Sequence, residues 1–283
     1  MSNHTNFLQT YANAGEHYGL QDHPLGFVGK VPTQEILDAA SKHHDPMVRG
    51  EVMLNKESTV AHIDSAIRDT HNAVRRLAAR HPNATQEHLE YAAKDPDYTV
   101  RVNALQHPKA TSEMLMSAAK EKLDPNVGLH GVDAHNEVKR AVAYNPNATS
   151  DHLEHLINHS SYAVRSNASE HKNLSVDQLD RMSRDPESYV RTKVAYHEKA
   201  TPEMLDRLSK DFDFFVKVAA NSNKNASPEQ LTRSLMANEY AVRSAVMRNP
   251  SATKEHLEKG LADNHPDVRL SAQTNANYKK FFE

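Results

Sequence analysis

Apolar residues recur along the chain in two short stripes that alternate with polar segments. In the first stripe a Leu or Ile lies four residues after a Ser or Thr, as in Thr85 and Leu89. In the second stripe a Val is followed four residues later by another apolar residue, as in Val190 and Val194. Such spacings place side chains on one face of an α-helix, and no segment alternates as a half-buried strand would. The pattern predicts pairs of short helices, which we term helix A and helix B.

The two-helix pattern returns at a nearly constant interval. A Val followed by a basic residue marks helix B nine times in steps of 26 residues, except for one step of 38 between Val100 and Val138. A fixed period in this range is typical of solenoids, in which each repeat buries its apolar face against its neighbours. The chain is therefore predicted to be all-α, an αα-solenoid of nine helix-pair repeats. We expect one repeat domain over residues 31–278.

The regions that depart from the period are the two ends and one insertion. Residues 1–30 are predicted to form an N-terminal cap and an irregular loop, and residues 279–283 a C-terminal tail. The long step contains 12 extra residues, 121–132, with Gly128 and Gly131 among them. This insertion is predicted to lie in the turn between helices A and B of the fourth repeat and to project from one edge.

Polar residues at fixed positions predict where the helices begin and end. Each helix A is preceded by Ser or Thr, whose hydroxyl can accept a bond from a free backbone N–H, and an acid two residues later favours the helix dipole in eight of nine repeats. Seven residues after each Val the chain has Asn or His, often followed by Pro, which predicts the end of helix B. Asn and His share a side-chain hydrogen-bonding group suited to holding the turn between repeats.

The repeat unit V-R-x-x-V-A-x-N-P-x-A-T-x-E-x-L-x-x-L, at Val138–Leu156 and Val242–Leu257, resembles the leucine-rich repeat variant family and the wider HEAT-like class of solenoids. The resemblance covers residues 31–275 and implies a right-handed superhelix of stacked helix pairs. Many such proteins are binding scaffolds and a minority are enzymes, so the resemblance alone leaves the function open.

Composition restricts the function only weakly. The net charge is −3, which gives no global argument for nucleic acid or an anionic membrane as partner. The absence of cysteine excludes disulfides, zinc–thiolate sites and iron–sulfur clusters. No apolar run is long enough for a membrane span and the N-terminus has no signal-peptide pattern, so a cytoplasmic protein without membrane association is expected.

A basic column follows the Val column in every repeat. Because stacked helices lie about 10 Å apart, an exposed column could follow a phosphate backbone. The alternative is structural, since six repeats have an Asp five residues before the Val, close enough for an Asp–Arg bond across the turn within or between repeats. We favour the structural interpretation. The column consists of Arg49, Arg75, Arg101, Lys139, Arg165, Arg191, Lys217, Arg243 and Arg269.

The 19 histidines suggest metal binding, but most recur once per repeat, too far apart to share one ion. His43–His44 and the group His152, His155 and His159 are the best local candidates, yet a capping or solvated role is favoured. We therefore predict no metal and no cofactor. A metal-dependent hydroxylase or a DNA-repair glycosylase is a weaker alternative, because only one of the several His–Glu pairs expected, His197–Glu198, occurs and Trp is absent.

Function is expected where the repeats differ. The variable positions of helix B point away from the buried Val, and in related solenoids the second helix lines the concave face. The function predicted is a non-enzymatic scaffold that engages a protein or peptide on this face, with nucleic-acid binding through the basic column as the alternative. In the insertion, His130 and Asp124 are candidate specificity residues. The binding residues predicted on helix B are Arg76, Arg80, Asn103, Arg140, Tyr144, Asn167, Lys193, Tyr196 and Arg248.

Overall fold

The computed structural model describes residues 33–126 and 128–283, and within them the chain is all-helical with no strand. The cap and loop predicted for residues 1–30 lie outside the described residues. The described chain divides into two compact units, residues 33–104 and 105–283, which are described separately. The single domain expected over 31–278 stays a prediction.

The first unit contains α1 to α6, the last of which ends just inside the second unit. Helices A are α1, α3 and α5, and helices B are α2, α4 and α6. The bounds are α1 Gln34–Ala40, α2 Pro46–Leu54, α3 Val60–Ala66, α4 Asn72–Arg80, α5 Gln86–Ala92 and α6 Tyr98–Gln106.

Among the described residues, the second unit continues the alternation through six further helices A and six helices B and ends with one extra helix. The helices A are α7 Ser112–Lys120, α9 Ser150–Ile157, α11 Val176–Met182, α13 Pro202–Leu208, α15 Pro228–Ser234 and α17 Lys254–Leu261. The helices B are α8 Leu129–Tyr144, α10 Tyr162–Ser169, α12 Ser188–Tyr196, α14 Phe214–Ser222, α16 Tyr240–Arg248 and α18 Pro266–Gln273. Within this unit each helix B packs against the helix B of the next repeat.

The predicted apolar stripes form the core. Every member of the Leu or Ile column of helix A is fully buried, as are both members of each helix-B pair, for example Val190 and Val194. The Ser and Thr caps also form as predicted in most repeats: the hydroxyl of Thr201, for instance, accepts the backbone N–H of Met204 at 3.3 Å. Thr33 is an exception, since its side chain makes no such bond.

The insertion differs from its prediction in one respect. Residues 121–126 form an exposed non-helical segment, but residues from Leu129 onward are helical and lengthen α8 to 16 residues. Asp133 therefore lies exposed within a helix, not at the end of a turn as its counterparts do. The C-terminal tail predicted for 279–283 is also partly helical: α19, Tyr278–Phe282, contacts α17 and places Tyr278 and Phe282 with ring centroids 4.9 Å apart.

Candidate functional site

The Asn/His column forms a hydrogen-bonded ladder from repeat to repeat. Asn249, fully buried, donates from Nδ2 to the carbonyls of Asn221 and Asn223 at 2.7 and 2.8 Å, and its Oδ1 accepts the N–H of Ser251. His171 is equivalent: Nδ1 accepts the N–H of Asn173, so Nε2 carries the proton that is donated to the carbonyl of Asn145 at 3.0 Å. Burial lowers the pKa of His171, which favours this neutral form. The column is structural.

A second histidine column caps helix A. His88 lies buried at the third position of α5, where Nδ1 accepts the N–H of Thr85 at 3.0 Å and Nε2 contacts Asp64 of the preceding repeat at 2.7 Å. His62 and His256 occupy the same position, and Gln178 does the same with its amide. These imidazoles replace the Glu or Gln of an ordinary capping box.

The strongest candidates for a metal site are thereby explained by hydrogen bonds. His152 belongs to the capping column, with Nδ1 accepting the N–H of Thr149 at 2.8 Å. His155 is exposed and His159 half-buried, so the three do not converge. Across residues 33–126 and 128–283, no group of three or more His, Asp or Glu side chains is arranged to hold a metal ion.

Five arginines of the basic column form bidentate pairs with the Asp of the next repeat. Arg191 is representative: Nε and Nη2 donate to Asp211 at 2.7 and 2.8 Å, while Nη1 donates to the carbonyls of Asp185 and Pro186. Both side chains are nearly buried, with 16% and 10% exposed. The same pairing joins Arg49 to Asp69, Arg75 to Asp95, Arg165 to Asp185 and Arg243 to Asp263. We call this set the Arg–Asp ladder.

Both lysines of the column lie where the Asp 20 positions later is missing. The residue 20 positions after Lys139 is His159, and the residue 20 positions after Lys217 is Ala237. Lys217 instead pairs with Glu239. Two arginines, Arg101 and Arg269, keep the bonds to their own turn without an Asp partner: Arg101 Nη1 donates to the carbonyl of Asp95 at 2.8 Å, but its buried Nε has no hydrogen-bond partner.

Lys139 is the one fully buried basic side chain of the column among the described residues, and it closes the end of α7. Its Nζ donates to the carbonyls of Ala118, Ala119 and Glu121 at 2.6, 2.9 and 2.5 Å. Burial lowers the pKa of Lys139 to about 8, opposed by the charge of Glu121. Burial, with the nearby cationic groups, likewise lowers the pKa of His159 to about 4.

The variable helix-B positions differ in their exposure. We define the helix-B face as the solvent-accessible side chains one residue before, three residues after and six residues after the Val of each helix B in the second unit. Tyr144, Tyr196 and Arg248, six residues after the Val, are exposed. In the first unit Arg80 is exposed in the same position, whereas Arg76 and Asn103 are half-buried, and Asn103 donates to the carbonyl of Thr99 at 2.5 Å.

Two of the predicted binding residues, Arg140 and Lys193, are engaged by neighbouring side chains, and a third, Asn167, is half-buried. Arg140 is half-buried, contacts Glu137 and lies 3.5 Å from the hydroxyl of Tyr144. Asn167 is half-buried, and its Nδ2 has no hydrogen-bond partner. Lys193 pairs with Glu170 of the preceding repeat, and this pair raises the pKa of Lys193.

Lys193 and Tyr196 line an open surface depression of about 490 Å³ between α10 and α12. Glu170, Lys172, Glu198 and the buried ladder residue His197 also line it. The depression thus combines an exposed aromatic ring with side chains of both charges, a composition typical of protein recognition surfaces.

Two features of this region were not predicted from the sequence. Tyr189 is 55% exposed and its ring lies 5.3 Å from Nζ of Lys193, so the exposed stripe of α12 is longer than expected. Phe215 of α14 is exposed beside it in the same column. The exposure could have been predicted from spacing: the residue before each Val lies seven residues before the position of Tyr196, and this spacing places both on one face of the helix.

The insertion residues do not join this region. Asp124 accepts the backbone N–H of Asn126 at 2.9 Å and so stabilises its own turn. His130 is exposed in the first turn of α8, next to Leu129, which is 84% exposed. Neither residue lines the depression.

No protein-family model and no curated protein matches the chain. Among solved structures, the chain is similar to one described as a leucine-rich repeat variant with a novel repetitive protein structural motif. The two are 24% identical, the match covers 75% of this chain and 79% of that chain, and the TM-score is 0.58. The likeness confirms the fold expected from the repeat unit, a helical repeat solenoid. The number of repeats and the handedness stay predictions.

Proposed function

We propose that the chain is a non-enzymatic scaffold that binds a protein or peptide partner on the helix-B face, the face predicted to be concave. The observation that carries the proposal is a contrast between two sets of side chains. The side chains of the repeated polar columns, such as Arg191 and Asn249, form hydrogen bonds within the fold. The variable side chains around the depression, such as Tyr196, are exposed to solvent.

The composition of this region supports a protein partner. Tyr189 and Tyr196 each expose more than half of their surface, together with the alkyl chain of Lys193 between them. Tyrosine supplies a large rigid surface and a hydroxyl at low entropic cost, and is enriched in the residues that dominate binding energy. Proteins of this fold offer an extended surface for such contacts.

Nucleic-acid binding through the basic column is the less supported function. Five guanidinium groups of the column are held by aspartates, as in the pair of Arg165 with Asp185. Lys139 is fully buried among carbonyl groups. A column engaged in this way has few charges to offer a phosphate backbone. We further propose a cytoplasmic location, with which the cysteine-free sequence is compatible.

The test is affinity capture: the full chain is immobilised and exposed to a lysate of cells that naturally express it, and the bound proteins are identified. The double variant Lys193→Glu/Tyr196→Ala should lose the partner that the wild type captures, while its thermal melt stays unchanged. The matched control is Lys120→Glu/Tyr162→Ala, since Tyr162 is as exposed as Tyr196 but lies at the opposite end of its helix. Capture of the same partner by the Lys193/Tyr196 variant would refute the proposal. Loss of capture after nuclease treatment would favour the nucleic-acid alternative.

A further inference from the structure

The C-terminal ends of the helices B in the second unit carry a row of cationic and aromatic side chains, from α8 through α16. All are exposed and lie at or just beyond the end of their helix, except Lys193, which is half-buried and precedes the last residue of α12, Tyr196. We call this set the lysine–tyrosine edge; it consists of Tyr144, Lys172, Lys193, Tyr196, Lys224 and Arg248.

Most cations of this edge have no acidic partner within the fold. Lys172, Lys224 and Arg248 are exposed and make no side-chain hydrogen bond or ion pair among the described residues. Only Lys193 is paired, with Glu170. Of these cations, Lys172 and Lys193 line the depression together with the carboxylates of Glu170 and Glu198.

The opposite layer of the same unit shows that unpaired cations are not the rule. Three arginines on successive helices A each pair with a carboxylate of the preceding repeat. The pairs are Arg181 with Glu154, Arg207 with Asp180 and Arg233 with Asp206.

The fold itself does not require the unpaired cations. Cations near a helix C-terminus can offset its dipole, but the carbonyl groups at these ends are already bound by the Asn/His ladder, as at Asn223. Lys172 and Lys224 also lie beyond the last residues of α10 and α14. The charge at this edge is thus available to a partner.

We propose that the lysine–tyrosine edge binds an acidic, extended segment of a partner protein; this rests on the scaffold function proposed above. Carboxylates of the segment pair with Lys172, Lys224 and Arg248, and its intervening side chains lie against Tyr144 and Tyr196. Such pairs at an interface rim act mainly on the association rate and on the choice of partner.

The stacking distance sets the spacing of the acidic residues. Neighbouring helices lie about 10 Å apart, and an extended chain advances about 3.3 Å per residue. A segment that crosses the helices B therefore advances roughly three residues per repeat, which favours an acid at every third position. From Lys172 to Arg248 the segment crosses three steps, or roughly nine residues.

A protein segment suits this edge better than a nucleic acid. A continuous phosphate chain would place negative charges against Glu170 and Glu198, whereas a peptide with spaced acids can place neutral residues there, and its backbone N–H groups can donate to these carboxylates. Tyr144 and Tyr196 are separated by one intervening helix B, about 20 Å, which is too far for stacking on successive bases.

The test uses fluorescein-labelled peptides of about twelve residues with the full chain, read by anisotropy at about 50 mM salt. The probe is (Glu-Ser-Ser) repeated, and the comparison peptide has Gln for Glu. The acidic peptide should bind about tenfold more tightly than the neutral one, and the preference should shrink with added salt. The variant Lys172→Glu/Lys224→Glu should abolish the preference.

The control variant Lys120→Glu/Lys259→Glu carries the same charge change elsewhere and should keep the preference. Equal binding of the two peptides, or a preference that survives the Lys172/Lys224 reversal, would overturn the proposal. Tighter binding of a twelve-base oligothymidine at the same edge would overturn it in favour of nucleic acid.

The two proposals fail separately. If the Lys193/Tyr196 variant loses a cellular partner but no acidic preference exists, the scaffold stands and the acidic class falls. If that variant still captures the partner, the scaffold on this face falls, whatever the peptides show.

Discussion

Replacing Asp211 by Asn tests whether the Arg–Asp ladder stabilises the fold. Asp211 accepts two N–H groups of Arg191 and the backbone N–H of Asp213, with only 10% of its side chain exposed. The amide removes the negative charge and turns one acceptor into a donor facing a guanidinium. Breaking a nearly buried ion pair by neutralising one partner costs about 3 kcal/mol.

The assay is thermal unfolding followed by circular dichroism. At roughly 2–4 °C per kcal/mol for a chain of this size, Asp211→Asn should lower Tm by about 6–12 °C at pH 7. The control is Lys210→Met, which breaks the exposed pair of Lys210 with Asp206 and should change the free energy of unfolding by less than about 0.5 kcal/mol.

The pH dependence gives a second check on the same variant. Burial alone would raise the pKa of Asp211, but the bonds from Arg191 and the Asp213 N–H lower it overall. A lowered pKa in the folded state means that the stabilisation is complete above the ordinary Asp pKa of about 4 and is lost as pH falls through the lowered value. The wild type and the variant should therefore differ fully at pH 7 and converge in acid. A variant as stable as the wild type at pH 7 would refute the ladder argument.

Three further variants test the columns, two of which give one repeat the residues found in another. Asn249→His should lower the free energy of unfolding by less than about 1 kcal/mol, because His makes the equivalent bond in other repeats. Asn249→Ala should lower it by about 3 kcal/mol, because it leaves buried carbonyl groups without a donor. Urea unfolding measures both values, and equal losses would contradict the ladder. Lys217→Arg/Ala237→Asp should form the missing Arg–Asp pair and raise the free energy of unfolding by about 1–2 kcal/mol, since a bidentate pair replaces the half-exposed pair of Lys217 with Glu239. A lower Tm for the double variant would contradict this.

The repeat pattern predicted the core almost completely. The periods of Leu and Val identified which face of each helix is buried, because burial in a stacked array depends on spacing within the repeat. Val190, Leu205 and their equivalents needed no long-range information. The Asp and Arg columns were also visible, and the bond between them was expected.

What the columns did not determine is which repeat supplies each partner. Arg191 bonds the carbonyl of Asp185 in its own turn and the side chain of Asp211 in the next, and both aspartates belong to one column. Because the bond crosses between repeats, the partner of each basic residue is the Asp 20 residues later. Lys217 has Ala237 at that position and therefore has no Asp partner. The register of a stack is a tertiary property, so one repeat cannot predict it.

The insertion and the candidate face show the same limit. Aligning Asp133 with the Asp column assumed a turn there, but the chain from Leu129 continues as helix, and Asp133 leaves the column. Tyr196 is exposed and Lys193 half-buried, and the depression that they form with Glu170 and Lys172 exists only because α10 lies beside α12. The depression is therefore a property of neighbouring repeats, which a single repeat does not reveal.

The central claim is that repeated polar columns maintain the fold while the variable helix-B residues bind the partner. The most direct measurement compares Asp211→Asn with Lys193→Glu/Tyr196→Ala in one experiment, recording Tm and the amount of partner captured at a temperature where both are folded. The account predicts that the first variant melts earlier but captures the partner normally, and that the second melts normally but captures none. Loss of capture by folded Asp211→Asn with retained capture by the second variant would contradict it.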